Sequence, residues 1–218
     1  MSLNKSILFL LIFNNSISQP STVPPKDESK KDPILASTVI ELKRIIHTKD
    51  FPALLKYLHP EIQIGFDDNT GIDAFKEEWS DAQNQSRLWS ILKRIIDMGG
   101  VFIKEDPINK FVFPYAYEVD LGEVEDAYNL FIVTGKNVNV REAPSLTAKV
   151  IGQLSYHVVT IEEAPLTDEE NEWKKIKTIN TKTQGYVHSD FLYSPSDYRL
   201  FLKRENSRWL IYMFLTGD

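Results

Sequence analysis

The sequence contains no cysteine among its 218 residues. Disulfide bonds, cysteine-based zinc sites, a thiol nucleophile and a lipidated cysteine anchor are therefore excluded. The sequence also lacks an excess of basic residues, since 25 Lys and Arg stand against 31 Asp and Glu and the formal net charge is −6. Because nucleic-acid binding needs a basic surface, this balance argues against nucleic acid as the main partner.

Catalytic signatures are sparse as well. The four histidines are isolated, so they do not form the close His pair of a zinc peptidase. A G-x-S-x-G nucleophile elbow is missing too. We therefore predict a protein that is not an enzyme and that needs neither a cofactor nor a metal. The histidines are His47, His59, His157 and His188.

The N-terminus has an apolar run, but a short one. SILFLLIF, residues 6–13, follows Lys5 and is followed by the small residues Ser16 and Ser18. A membrane-spanning helix needs ~20 apolar residues, whereas a basic start, a short apolar run and small residues are typical of a secretory signal peptide. The sequence thus predicts a signal peptide over residues 1–18 and a periplasmic or secreted protein without membrane insertion. A buried N-terminal helix is the alternative.

Changes in composition divide the rest of the chain. Residues 19–33, QPSTVPPKDESKKDP, are rich in Pro, Ser and charge, which predicts a disordered linker. From residue 34 onwards, apolar residues recur at three- and four-residue spacing, which predicts amphipathic helices followed by short strands. We therefore predict an α+β domain over residues 34–125, with a boundary near residues 122–128 where the helical period ends.

The C-terminal segment alternates like a hairpin. YRLFLKRENSRWLIYMF, residues 198–214, is too apolar to remain free in water, and an isolated hairpin is only marginally stable. We expect residues 197–218 to return to the first domain and to complete a small antiparallel sheet with VFIKE (101–105) and FVFPY (111–115). The predicted fold class is α+β, with an all-β barrel inserted in a helical domain.

Residues 129–194 contain five short alternating segments, which predict a small barrel. VNVREAPS (138–145), VIGQL (150–154), WKKI (173–176) and GYV (185–187) follow one another in an order and spacing that resemble the bacterial SH3 (SH3b) family. The resemblance implies a β-barrel that binds cell-wall or peptide ligands and is usually not catalytic. Ser155-Tyr156-His157 departs from the family, which usually has a glycine in that turn.

Candidate ligand contacts follow from the alternation within this segment. Val138 and Val140 are expected to face the core, so that the polar residues between them face solvent. The guanidinium of Arg141 suits a carboxylate such as a peptide terminus, and aromatic side chains line shallow binding grooves. The predicted ligand-binding residues are Asn137, Asn139, Arg141, Tyr156, Trp173 and Tyr186.

Two structural alternatives stand beside these contacts. Arg141 is at a position where it could instead pair with Glu142 or Glu162 on the surface, which is the commoner role for an exposed arginine. Trp173 and Tyr186 could instead close the small barrel as packing residues.

These features predict an exported, non-catalytic binding or adaptor protein whose barrel binds peptidoglycan or a peptide ligand, with an envelope protein as a further possible partner. A cell-wall hydrolase is the alternative, with the barrel as a targeting module and a pair of glycosidase-type carboxylates in the helical domain. A third alternative is a structural module whose barrel docks on its neighbouring domain.

The carboxylates behind the hydrolase alternative surround one turn and the start of one helix. Their spacing partly matches a calcium-binding loop, but Ile72 occupies the position that requires glycine, which argues against calcium. Turn formation and helix capping are the simpler roles. The carboxylates are Asp67, Asp68, Asp73, Glu77 and Glu78.

Overall fold

A computed structural model describes residues 21–65, 69–121, 129–162, 172–179 and 183–217. The predicted signal peptide, the first two linker residues, Asp67 and Asp68, and the predicted boundary at residues 122–128 lie outside the described residues. Within the described ranges, no helix combines the length and the apolar character that crossing a membrane requires.

Within the described residues, four α-helices pack together and against one sheet. Helix α1 (Pro33–Thr48) begins where the Asp32 carboxylate accepts the amides of residues 34 and 35, and α2 (Phe51–Leu55) begins where the Asp50 carboxylate accepts the Ala53 amide. Helices α3 (Ile72–Glu78) and α4 (Ala82–Asp97) follow. The apolar faces of α1 and α4 are buried, as their periodicity predicts.

In the part of the chain that the structure describes, twelve strands form two sheets, with five strands in the first and seven in the second. In chain order they are β1 (Leu58–Gln63), β2 (Val101–Phe102), β3 (Lys110–Phe113), β4 (Leu130–Val133), β5 (Val138–Arg141), β6 (Val150–Leu154), β7 (Val158–Ile161), β8 (Trp173–Thr178), β9 (Gln184–His188), β10 (Leu192–Tyr193), β11 (Arg199–Glu205) and β12 (Arg208–Leu215).

The five-stranded sheet has the order β1-β12-β11-β3-β2, so the C-terminal hairpin lies at its centre. Strands β11 and β12 are joined through Asn206 and Ser207, which both have positive φ, as a tight hairpin turn requires. Strand β11 pairs antiparallel with β3, in agreement with the sequence prediction. The predicted antiparallel sheet of β2, β3, β11 and β12 is present, and it is extended by β1, which pairs parallel with β12. The long connection between these two strands permits the parallel arrangement.

The seven-stranded sheet has the order β10-β4-β7-β8-β9-β5-β6, and neighbouring strands run antiparallel. The mixed α+β class is thereby confirmed. Seven strands replace the five expected ones, because the predicted third strand divides at the turn around Tyr156 and residues 192–193 add a short strand beside β4. We call residues 130–193 the all-β unit, and residues 33–121 together with residues 194–217 the α+β unit.

The all-β unit has a small core of its own, formed by residues such as Val138, Val140, Ile176 and Val187. Its other apolar side belongs to the large core of the α+β unit. The residues that join this larger core are Leu130, Ile132, Val158 and Tyr193. The two units therefore share buried surface and are not separated by a free hinge.

Residues 21–32, here called the N-terminal strap, differ from the disordered linker that composition predicts. Val23 is buried, and its amide donates to the Tyr156 carbonyl (2.7 Å) while its carbonyl accepts from the Tyr115 hydroxyl (2.6 Å). Further along, the Glu28 amide donates to the Gly100 carbonyl (2.8 Å). A few specific contacts thus anchor a segment whose average composition is that of a linker.

Candidate functional site

A surface groove of ≈ 560 Å³ runs along strand β5. Four of the six predicted contact residues line it, together with residues that the sequence analysis did not single out. We call it the β5 groove. The predicted residues in it are Asn137, Asn139, Arg141 and Trp173, and the additional ones used below are Lys136, Leu146, His188, Asp190 and Phe191.

Arg141 is held in one orientation at the end of β5. Val138 and Val140 are buried, so the alternation places Arg141 on the outer side of the strand, as predicted. One guanidinium nitrogen (Nη1) donates to the Ala148 carbonyl at 2.7 Å, and the guanidinium carbon lies 6.0 Å from the centre of the Trp173 ring. Both contacts leave the remaining guanidinium N–H groups for other acceptors.

The carboxylates that were considered as partners of Arg141 do not form an ion pair with it. Glu162 pairs instead with Lys175 at 3.2 Å and accepts a hydrogen bond from Gln184 at 2.8 Å. Within the part of the chain that the structure describes, no carboxylate forms an ion pair with Arg141. The guanidinium is therefore oriented by a carbonyl and a ring, and its charge is not neutralised by a described neighbour.

Trp173 forms part of the groove wall and does not belong to the inner core. Val187 points into that core, and neighbouring residues of a strand alternate, so His188 and its cross-strand partner Trp173 lie on the outer face. The two rings meet edge to face, with centroids 5.2 Å apart and planes at 84°. Trp173 is nevertheless only 9% exposed, so it packs as a largely buried residue, as the packing alternative predicts, and also lines the groove.

Two asparagines supply fixed amide groups beside Arg141. Asn137 has a φ of 55°, a conformation that Asn tolerates better than most residues, and its backbone amide donates to the Ser155 hydroxyl at 2.8 Å. The side-chain oxygen of Asn139 accepts from the Gln153 amide at 3.0 Å. These bonds orient the side chains along the groove, where amides suit the polar groups of a peptide backbone.

The comparison with known families decides what this unit is. Residues 136–193 match the family model of the bacterial SH3 domain. This segment is a bacterial SH3 domain. The match confirms the resemblance found in the sequence, and every lining residue of the β5 groove except Gly135 lies within it. No curated protein and no solved structure matches the chain.

Tyr156 and Tyr186 are outside the groove of the bacterial SH3 domain. Tyr156 has a φ of 57°, the left-handed conformation for which glycine is favoured, and its carbonyl accepts from the strap at Val23. The unusual turn in the sequence therefore serves the contact with the strap. Tyr186 lies on β9 opposite Arg141 and Lys175, but it does not line the cavity.

The groove also contains residues that sequence reasoning missed. Leu146 and Phe191 are large apolar side chains with exposed fractions of 72% and 45%, and they border the groove. His188 is the last residue of β9 and lies opposite Trp173, while Asp190 belongs to the short 3-10 turn Ser189–Phe191 that follows. No distinct sequence signal pointed to Leu146 and Phe191, because single exposed apolar side chains also occur elsewhere on this surface, as at Ile40 and Ile108.

The carboxylates of the hydrolase alternative are found in ordinary surface roles where the structure describes them. Asp73 pairs with Lys76 at 2.9 Å, and this hydrogen bond lowers the pKa of Asp73. A glycosidase acid needs a raised pKa. Among the described residues, no group of three or more His, Asp or Glu side chains is arranged to hold a metal ion.

Proposed function

We propose that this chain is an exported, non-catalytic binding protein whose bacterial SH3 domain binds a peptidoglycan stem peptide, or a peptide of similar chemistry, in the β5 groove. The family match supports a binding module. The signal-peptide pattern of residues 1–18 supports export. The β5 groove contains the side chains that would contact the peptide.

One observation carries this proposal: the oriented guanidinium of Arg141 above the Trp173 ring, without a described carboxylate partner. A ligand carboxylate that enters the groove would accept two parallel N–H groups from such a fork. The ring beneath limits the motion of the guanidinium, so less side-chain entropy is lost on binding.

The rest of the groove fits a peptide better than a purely apolar ligand. Asn137 and Asn139 offer amide donors and acceptors for peptide groups, and Leu146 and Phe191 offer apolar contact at the border. Such a combination of a few placed polar groups and apolar walls is typical of small-ligand sites.

The test is retention of the purified mature protein on peptidoglycan sacculi at low and moderate salt. We expect the wild-type protein to be retained and Arg141→Ala to bind about tenfold more weakly, because a hydrogen-bonded charge pair is lost. Arg44→Ala is the matched control. It removes the same charge from α1, where Arg44 is exposed and pairs with Glu41, and it should bind like the wild type.

Two outcomes would count against the proposal. Absence of wild-type retention at both salt concentrations would remove peptidoglycan as the ligand. If Arg141→Ala and Arg44→Ala weaken binding equally, the overall charge of the protein causes its attraction to the sacculi, and recognition in the groove does not. Thermal unfolding of both variants, measured in parallel, ensures that a folded protein is compared in each case.

A further inference from the structure

The two ends of the β5 groove differ in charge. Arg141 forms one end. The other end lies near residues 134–137, because the Phe191 carbonyl accepts from the Thr134 amide at 2.9 Å and so brings Asp190 to that side. The four residues of β5 lie between the two ends, which corresponds to about 13 Å of extended chain. A cation and a carboxylate thus stand at opposite ends of one groove.

The end of the β5 groove that contains Asp190 has a net negative charge. The Asp190 and Glu172 carboxylates lie 3.4 and 3.8 Å from the two ring nitrogens of His188, and their side chains are 81% and 80% exposed. The Asp190 amide also donates to Nδ1 of His188 at 3.3 Å. Lys136 is the opposing cation at this end, and two carboxylates outweigh it.

The middle of the groove is suited to an uncharged stretch of chain. The edge-to-face pair of Trp173 and His188 forms its wall, and Asn139 lies between the two charged ends. An extended peptide rises about 3.3 Å per residue, so about four residues span the distance between the ends.

We propose that the β5 groove binds a short zwitterionic peptide by both of its charges, with a free carboxylate at Arg141 and a free ammonium group at Asp190. This inference rests on the proposed function and narrows its ligand class. In peptidoglycan, the side-chain amino group of a stem peptide is free only where it has not been joined to a neighbouring peptide. The groove therefore selects stem peptides that carry an unreacted amino group over fully cross-linked ones.

The experiment uses the mature chain and three forms of the same sacculi: untreated, treated with acetic anhydride to acetylate free amines, and treated with carbodiimide and ammonia to amidate carboxylates. We expect acetylation to weaken wild-type binding about three- to tenfold, because one charge-assisted hydrogen bond is lost. Amidation should weaken it at least as much. Asp190→Asn should bind untreated sacculi as weakly as the wild type binds acetylated ones, with no further loss on acetylation.

Asp73→Asn is the matched control, since it removes a carboxylate from the exposed surface of α3 and should follow the wild type on all three materials. If neither acetylation nor Asp190→Asn changes retention, the inference that both ends of the groove bind the peptide is overturned. The proposed function still stands in that case if retention on untreated sacculi depends on Arg141. Absence of retention on untreated sacculi would overturn both. Because the Asp190 side chain is mostly exposed, its variant is expected to fold, and its melting temperature checks this.

Discussion

The all-β unit presents two unlike sides. On the side of β4, β7 and β10, Leu130, Ile132, Val158 and Tyr193 enter the core of the α+β unit. On the side of β5, β8 and β9, the β5 groove is open to solvent and combines polar with apolar side chains. The same small fold thus serves as an internal wall on one side and as a candidate binding surface on the other. Substitutions should therefore act on stability at the first side and on binding at the second.

The strap reinforces the first side only. It pairs with the start of β7 through Thr22 and His157, and it reaches the α+β unit at Gly100. The hydrogen bond from the Tyr115 hydroxyl to the Val23 carbonyl joins the strap to the α+β unit in a buried place. The strap, whose regular structure is one short 3-10 helix (Ser29–Lys31), thereby ties the two units together.

The largest expected effect comes from removing the α+β unit altogether. A fragment of residues 129–194 would expose Leu130, Ile132, Val158 and Tyr193, each of which contributes about 1.5–3 kcal/mol when buried. The sum is comparable with the whole stability of a small domain. We expect the fragment to lack a cooperative thermal transition, measured by circular dichroism against the intact chain. A fragment that melts as sharply and at the same temperature as the intact chain would contradict the view that the buried side is needed for stability.

A smaller effect is expected from a single truncation on the buried side. Ile132 is fully buried in the shared core, so Ile132→Ala should lower the free energy of unfolding by about 2–4 kcal/mol in urea titrations. Ile151→Ala, on the exposed strand β6, is the control and should change it by less than about 0.5 kcal/mol. Similar losses for both variants would mean that the two sides do not differ as described.

The smallest expected effect concerns the strap and depends on pH. Burial raises the pKa of Glu28, but hydrogen bonds from Lys26, Lys31 and the Phe102 amide outweigh it and bring the pKa from 4.5 to about 2. A carboxyl group whose pKa is lowered by folding stabilises the fold above its unfolded pKa. That contribution, about 1–3 kcal/mol, is lost as the pH falls from about 4.5 to about 2.

Urea unfolding of the wild type and of Glu28→Gln at pH 7 and pH 3 measures this contribution. The wild type should lose more free energy of unfolding between the two pH values than the variant does. Glu41→Gln is the control on exposed α1, where the carboxylate pairs with Arg44 at the surface. An equal pH dependence in wild type and Glu28→Gln would indicate that the strap is not held by this cluster.

Local pattern was enough to predict several features of the fold. The helical periods of α1 and α4 and the C-terminal hairpin depend on neighbouring residues, and the structure agrees with each of them. The outward position of Arg141 likewise followed from the alternation with Val138 and Val140.

Several features that depend on distant residues were not predicted. The parallel pairing of β1 with β12 joins segments about 150 residues apart, and alternation does not specify strand direction. The core that the two units share was missed for the same reason, although the continuous apolar run LFIV in β4 is typical of a strand that is buried on both faces. Asp190 reaches the groove through a 3-10 turn, whose course depends on tertiary packing.

The central position of the hairpin has a consequence for the order of folding during synthesis. Strand β12 lies between β1 and β11, yet it is translated after the bacterial SH3 domain. A nascent chain can form its N-terminal helices early, but β1 lacks its partner strand β12 until residues 208–215 have been made. Completion of the larger unit is thus necessarily a late event, governed by the arrival of one strand.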